Sequence, residues 1–534
     1  GCTTCIKCCP TEAIRVRGRK ATILPDRCID CGSCIRICPH KAIKSVGDSL
    51  DILKQYQYCV ALPEPALYGQ FQHLDSVDIV LNGLLKIGFH KVYEVAKAAE
   101  MISDFERQSI SGGPSKVTPQ ISSSCPTVLR LIRMRFPKLM GHVACTILPM
   151  ELAAILARRE AAEETGLPPE AIGVFAIVPC SSKVTAARVS EGLSRPVLDG
   201  AFAIRDIYLR LLNPMRELEE ITPMASAGIL GLGWASCGGE SAARLGERCV
   251  AVDGIQNVIR MLEEIEDGRL PEADFLELSA CTQGCVGGCF NVENPYAAKL
   301  RIKGLLKGLP VSRNRFLFHG EARDIVRRDK ELQYLPAFVL DQDREMAISK
   351  QLRIQELESH LPGLHCGSCG APSCRAFAED VVLGRASEDD CIFKVRERMR
   401  SMAGSKEEAD DYLPSLYNKE EFFMTVRELT EALSLTPFHL AQPDRPVSGG
   451  YAGDLLSWVL GRAGQDAAWL TIMSNQNVAA VALMAEVSCV ILTEGVAPDG
   501  DLLRRAQEKG VNLLGAGQDT FDTAARLSGA LAAG

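Results

Sequence analysis

The chain has 534 residues, 47% of them hydrophobic and 24% charged, with a formal net charge of −8 and 22 cysteines. This composition excludes a disordered tail, a collagen-like chain and a disulfide-stapled miniprotein, and at roughly 150 residues per domain it predicts three or four domains. The acidic balance without a basic block excludes nucleic acid as the expected partner, and the best apolar run, Val478–Leu492, is interrupted by Glu486, so no membrane span is expected. Cysteines bunched in C-x-x-C spacings favour metal ligation in a reducing, oxygen-poor compartment, and the chain is expected to be soluble and cytoplasmic.

Residues 1–50 carry two cysteine runs. Cys28, Cys31, Cys34 and Cys38-Pro39 are spaced C-x2-C-x2-C-x3-C-P. Cys2, Cys5 and Cys9-Pro10 are the last three positions of the same pattern, whose first cysteine is expected two residues before Gly1. In the bacterial two-cluster run, three close thiolates hold three corners of a cubane and the fourth cysteine reaches the other cluster. Cys28, Cys31, Cys34 and Cys9 are therefore expected on one [4Fe–4S] cluster, and Cys2, Cys5 and Cys38 on the other. Two zinc knuckles are the competing reading. Cys8 is surplus and reads as an idle neighbour. The module resembles ferredoxin, which implies an α+β fold and one-electron transfer.

From 51 to 345, strand-like apolar runs alternate with helical ones, which predicts an α/β domain. Val60–Leu62 and Ile172–Val178 are expected as buried strands, and Val92–Phe105 and Thr127–Arg135 as helices. Cys125 follows Ser122, Ser123 and Ser124 and precedes Pro126 at a helix start, where free N–H groups favour an anionic group. Cys180 follows Pro179 at a strand end, where α/β sites gather. Cys281 and Cys285 lie in a run whose Gly284, Gly287 and Gly288 would let backbone approach a bulky cofactor. The run Gly233–Glu240 is a further candidate lining.

In this order the three segments resemble the active-site domain of [FeFe]-hydrogenases. The family's T-S-C-C-P, M-P-C-x-x-K and E-x-M-x-C-x3-C motifs stand here as Ser122-Ser-Ser-Cys125-Pro126, Val178-Pro179-Cys180-Ser-Ser-Lys183 and Glu277 to Gly288. The resemblance implies an H-cluster, with its [4Fe–4S] cubane on Cys125, Cys180, Cys281 and Cys285. It implies that Cys285 bridges to a diiron subcluster carrying CO and CN ligands, that Lys183 hydrogen-bonds one cyanide, and that Pro65 and Ala66 line the diiron pocket. It implies the reaction 2H⁺ + 2e⁻ ⇌ H₂, with H₂ and protons as substrates and a redox partner such as ferredoxin. Departures from the family pattern are equally informative. The proton-delivering cysteine is Ser124 here, and a hydroxyl that hardly ionises is a poor relay. Both motif methionines are replaced, by Val178 and Ser279, and a common glutamate is Ala186. These changes resemble the sensory or divergent members and imply low activity. The competing reading is an electron-transfer or Fe–S scaffold protein of the same fold without the diiron subcluster. Cys59, Cys145, Cys237, Cys249 and Cys489 are expected as buried small hydrophobes, while Cys289, beside the third motif, keeps a candidate site role.

A polar helix over Glu345–Glu358 leads to Cys366, Cys369, Cys374 and Cys391, spaced C-x2-C-x4-C-x16-C around Gly370, Pro372 and Phe377. This pattern resembles the small four-iron domain of corrinoid iron–sulfur proteins and electron-transport complexes, with a zinc site as the alternative. His365 is read as an exposed histidine. Lying on the far side of the hydrogenase-like domain in sequence, the cluster would serve as an electron exit or as a relay to the tail. Residues 403–420 read as a linker. Beyond it, Leu470–Met473, Val478–Met484 and Val490–Leu492 read as strands between helices such as Leu502–Lys509 and Thr520–Leu531. Asp444–Asp454 resembles the signature of the DRTGG domain, a regulatory module, which implies a signalling partner; Gly449-Gly450 reads as a tight turn rather than a phosphate cradle. The expected architecture is a multidomain α/β chain. It comprises a ferredoxin-like module (1–50), an α/β H-cluster domain (51–345), a small helical Fe–S domain (346–402), the linker, and an α/β DRTGG-like domain (421–534).

Overall fold

An apolar run without polar alternation suits a strand covered on both faces, and the central sheet is built on one. Ile172–Val178 is buried at every position. The computed structural model describes residues 2–18, 20–110, 117–246, 248–270, 272–314, 321–337, 339–402 and 424–533, and the chain divides into two units, Gly1–Met399 and Arg400–Gly534. The expected linker at 403–420 lies outside the described residues.

In the first unit, Lys91–Val92, Tyr58–Pro63, Ile172–Val178 and Gly200–Ala203 lie side by side in that order, all parallel. One face buries Val60, Leu62, Val174 and Ala176 against Ile102, Ala153 and Ala157, from the helices Val95–Ile110 and Pro149–Thr165. The opposite face buries Ala61, Phe175 and Ile177 against Leu81, Leu84, Ile207 and Leu211, from Val77–Lys86 and Ile204–Arg216. The helix expected from Val92 starts instead at Val95 and runs to Ile110, because Lys91–Val92 pairs with Val60–Ala61 as a short edge strand. A second parallel sheet orders Gln120–Ile121, Phe275–Ser279 and Cys249–Asp253. Parallel strands send their carboxyl ends to a common edge, the usual place for a site. The segments that leave those ends are Glu64-Pro65, Ser122 to Cys125, Pro179-Cys180 and Ala280 to Cys285.

The ferredoxin-like residues form two short helices, Thr4–Lys7 and Ser33–Ile37, and the antiparallel hairpin Ile14–Arg17/Lys20–Ile23 around a core of Cys5, Ile6 and Ile14. The Cys366 segment contributes the helices Arg344–Ser359, Cys374–Val382 and Ile392–Met402, with Ala371, Ala376, Phe377 and Cys391 buried between them. Chain order suggested that it stands beyond the central domain. It packs instead on the ferredoxin-like module, where Val16 N donates to Gly370 O at 2.8 Å.

The second unit holds a five-stranded sheet in the order Thr436–His439, Leu513–Gly515, Cys489–Leu492, Ala467–Thr471, Gly449–Ala452, parallel except for the first strand. The run Val478–Met484 is helical (Asn477–Met484), not a strand, since its alanines, leucine and methionine are strong helix formers and a short apolar run has no period of its own. Gly449 and Gly450 form neither a turn nor a cradle. They lie in an edge strand, where the Cβ position of Gly450 is 2.6 Å from Leu527 Cδ2, so the missing side chain lets the helix Thr520–Ala533 pack closely.

Candidate active site and cluster sites

The segments at the strand ends enclose a cavity of about 790 Å³. Cys125, Cys180, Cys281 and Cys285 line it together with Ser124, Pro65, Lys183, Gly284 and Gly288. Cys125 and Cys180 are the residues immediately before the helices Pro126–Arg135 and Ser181–Arg188, so both sulfurs sit by free backbone N–H groups. Ala66 is buried outside the lining, and Gly287 is not part of it either. The glycines have a further task besides the lining by Gly284 and Gly288. A Cβ on Gly284, Gly287 or Gly288 would stand 2.5 Å from Cys237 N, 2.0 Å from Thr282 O or 2.2 Å from Pro179 O, so each permits protein backbone to pack on protein backbone.

Burial pushes the thiols up, Cys281 to about 11, Cys285 to about 12 and Cys180 well above its ordinary value. Thiols raised in this way ionise only against a strong local positive charge, and an iron–sulfur group would supply it. The donor set therefore fits a cubane. Lys183 Nζ donates to Glu64 Oε1 at 2.6 Å, with the two side chains 6% and 5% exposed. Burial opposes the ammonium, but the Cys285 sulfur and the Glu64 carboxylate hold Lys183 above its usual value. Breaking a buried pair of this kind costs about 3–5 kcal/mol.

A polar chain leaves the cavity beside Cys125. Ser124 Oγ donates to Glu240 Oε2 at 2.8 Å, and Ser122 Oγ donates to the same oxygen at 2.7 Å. Burial, reinforced by Glu106 and Glu277, pushes the Glu240 carboxyl well above the carboxylate range. Glu277 is also raised by burial, against the N–H groups of Ser241 and Gly238 that favour its charge. Glu64 and Glu240 were absent from the sequence-based site. Glu64 carries a signal only in retrospect, as a carboxylate between two prolines, and Glu240 closes the run Gly233–Glu240 that was read as lining. Trp234 and Glu240 of that run do line the cavity.

Cys9, Cys28, Cys31 and Cys34 line a second cavity of about 650 Å³, and Cys31 lines the first as well. Arg36 spans the two, donating through Nη1 to Cys281 Sγ and Gly287 O, each at 3.3 Å, and through Nη2 to Cys31 O at 3.3 Å. Asp30 fixes the loop: its carbonyl accepts from Ser181 Oγ at 3.0 Å, and its Oδ2 accepts from Thr185 Oγ1 at 2.9 Å and pairs with Arg130. Burial raises the Cys5 thiol, with smaller contributions from the nearby Cys2 and Cys38 sulfurs. Cys8 is half-buried, and its Sγ donates to Cys5 O at 3.2 Å. Cys366, Cys369, Cys374 and Cys391 line a third cavity of about 320 Å³. His365 is exposed, and its Nδ1 accepts from Cys374 N at 2.9 Å.

The remaining thiols divide. Cys59 and Cys489 are buried as expected of small hydrophobes, Cys237 and Cys249 are half-buried, and Cys145 is exposed, a single outward-facing residue between buried Ala144 and Thr146. Cys289 Sγ lies 2.8 Å from the Cβ position of Gly32, at the seam between the first two cavities.

Residues 57–207 and 218–289 match the family described as Iron only hydrogenase large subunit, C-terminal domain. Residues 21–44 match a 4Fe-4S binding domain, 361–393 an Fe-S cluster family and 461–530 the DRTGG domain, the last beginning after the Asp444–Asp454 segment. Over 52 residues the chain is 38% identical to the uncharacterized protein MJ0119 of Methanocaldococcus jannaschii, covering 10% of this chain and 23% of that protein's length. Among solved structures, a variant of the [FeFe]-hydrogenase HydA1 from Chlamydomonas reinhardtii aligns at 14% identity over 52% of this chain and 95% of its own, with a TM-score of 0.38. The structure of HydA(deltaEFG) aligns at 15% identity over 54% and 97%, with a TM-score of 0.39. The CBS and DRTGG domains of Clostridium perfringens pyrophosphatase, complexed with the activator diadenosine tetraphosphate, align at 15% identity over 18% and 43%, with a TM-score of 0.16. Superpositions this loose place no residue.

Proposed function

Because the chain is a hydrogenase-like iron–sulfur protein with an N-terminal ferredoxin domain and a C-terminal DRTGG domain, we propose that it interconverts H₂ with protons and electrons at low rate and that its redox state is a signal. One observation carries this reading. A cubane ringed by four thiolates gives no reason to bury an ammonium and a carboxylate beside Cys285, whereas Lys183 and Glu64 are held there as a pair.

On this reading Cys125, Cys180, Cys281 and Cys285 hold the cubane of an H-cluster, Cys285 also serves the diiron subcluster, and Pro65 walls the diiron side with Ala66 behind it. When bound, that group supplies the bond-making between two protons and two electrons. The chain's own residues do the rest. Glu64 takes one of the three Lys183 donors and so aims the others at an anionic ligand. Val95, Pro149, Pro179 and Trp234 exclude water, which strengthens every charge inside. Ser124 Oγ passes a proton to Glu240 Oε2 as it accepts another, without itself ionising. A thiol at this position can hold the charge between steps and a hydroxyl cannot, which keeps turnover slow. Cys9, Cys28, Cys31 and Cys34 would hold one [4Fe–4S] cluster and Cys2, Cys5 and Cys38 would serve another, and such clusters would supply one-electron transfer to the centre. The DRTGG-like domain reads the redox state out to a signalling partner.

A second reading, an electron-transfer or Fe–S scaffold protein without the diiron subcluster, is favoured by Ser124, Val178 and Ser279 standing where the family has its cysteine and methionines. Infrared spectra separate the two. Protein matured with the diiron cofactor is expected to show CO and CN⁻ stretching bands, and their absence at full cubane content would leave the scaffold reading.

A further inference from the structure

The ferredoxin-like module has two occupied faces. One lies on the central cavity, through Cys31, Arg36 and Asp30. The other carries the Cys366 segment. Arg15 Nε meets Asp380 Oδ2 at 2.5 Å, with the side chains 5% and 2% exposed, and Arg17 Nη2 meets the same oxygen at 2.7 Å. Arg27 Nη2 meets Glu379 Oε2 at 2.7 Å. Gly370, at φ +78, has its Cβ position 1.7 Å from Val16 O, so the two backbones touch only because the side chain is missing.

The docked loop also sits beside the thiols. Lys7 donates to the backbone carbonyl of His365, and the Cβ position of Gly367 is 3.2 Å from Ile6 Cδ1 and 3.6 Å from Thr3 Cβ. Gly367 adjoins Cys366, and Thr3 and Ile6 adjoin Cys2 and Cys5. Cys366 itself is exposed, next to Leu364 at 57% exposure. Four sites therefore follow one another in space in an order that the chain does not follow in sequence.

We propose that the Cys366 segment is the outer terminal of a linear electron path. The path runs from Cys366 to the Cys2/Cys5/Cys38 site, then to the Cys9/Cys28/Cys31/Cys34 site and into the central cavity, and a one-electron protein carrier docks at the exposed Cys366 face. Asp380 and Glu379 hold the terminal in place on three arginines of the ferredoxin-like module. The proposal rests on the cluster reading above. Each transfer oxidises one cluster and reduces the next by one electron, and two passages match one H₂. Tunnelling falls off exponentially with distance, so the contact of Gly367 with Thr3 and Ile6, the neighbours of Cys2 and Cys5, favours this route over any that bypasses the module.

The test uses full-length, cluster-loaded protein reduced with dithionite. Its electron paramagnetic resonance is expected to show the C-terminal signal split by its neighbour in the ferredoxin-like module. Glu379→Ala with Gly370→Ala is expected to keep the iron content, lose the splitting, and slow reduction of the inner clusters by reduced ferredoxin at least tenfold. Cys366→Ser, which removes one candidate ligand of the terminal and none of the arginine–carboxylate pairs, should slow that reduction at least as much. An unsplit wild-type signal, or equal rates in all three proteins, overturns the relay. Wild-type protein short of the C-terminal cluster's iron overturns the cluster reading instead, so the two failures are told apart.

Discussion

The central cavity and the two cysteine-rich modules hold buried thiols by opposite means. Behind the cavity, the strands Tyr58–Pro63 and Ile172–Val178 are packed on both faces by long helices, and Cys125, Cys180, Cys281 and Cys285 project from the rim of that frame. In the ferredoxin-like module the core is Cys5, Ile6 and Ile14, and in the Cys366 segment it is Ala371, Ala376, Phe377 and Cys391. There, candidate ligands are part of the core. Ordering backbone costs about 1–2 kcal/mol per residue, and modules this small bury too little apolar surface to offset it without metal. Metal is thus a condition of folding at the periphery and a loading step at the centre.

Removing iron breaks the comparison most directly. Anaerobic chelation is expected to abolish amide exchange protection in Ile14–Arg17 and Cys374–Val382 while Tyr58–Pro63 and Ile172–Val178 keep theirs. Loss of protection in all four would mean that the centre also folds around its cofactor. Next in size is Lys183→Ala, which strands Glu64 in a buried site and should cost about 3–5 kcal/mol in chemical denaturation of apoprotein, with Lys183→Met/Glu64→Met recovering most of it. A smaller effect is expected in rate. Ser124→Cys should raise H₂ evolution of matured protein by up to ~10²-fold, and no gain with intact cofactor would sink the relay argument.

The smallest effect is in pH. The folded protein holds the Glu240 proton after the unfolded chain has released its own, so this group favours the native state least at high pH. Its destabilising contribution sets in above the unfolded value near ~4.3 and grows as pH rises toward the raised folded value. Glu240→Gln should flatten that fall, so the difference in Tm between variant and wild type widens from about pH 5 to about pH 8. A constant difference would mean that Glu240 is charged in the folded state.

Thiol spacing in the modules was legible because one short loop sets it, as in Cys28 to Cys38 and Cys366 to Cys374. The central quartet is assembled by strand pairing between distant segments, so only the order of three motifs pointed to it. Glu64 and Arg36 had no pattern of their own and Glu240 only its place at the end of the Gly233–Glu240 run; each matters through a partner far away in sequence, namely Lys183, Cys281 and Ser124. The docking of the Cys366 segment was hidden for the same reason, since nothing local in Arg15 or Asp380 announces a buried pair. Val478–Met484 failed differently, because a seven-residue apolar stretch fits strand and helix alike until its neighbours choose.

Arg36 is a fixed positive charge held between two candidate cluster sites. Its guanidinium lies between Cys281 of the central cavity and the loop of Cys31, touching both. With clusters on either side, an electron on one repels an electron on the other, and a fixed cation between them attracts both, which offsets part of that repulsion. Two electrons delivered singly could then be stored together before two protons claim them. Arg36→Gln should lower both midpoint potentials, whereas Arg36→Lys should restore the charge and much of the loss.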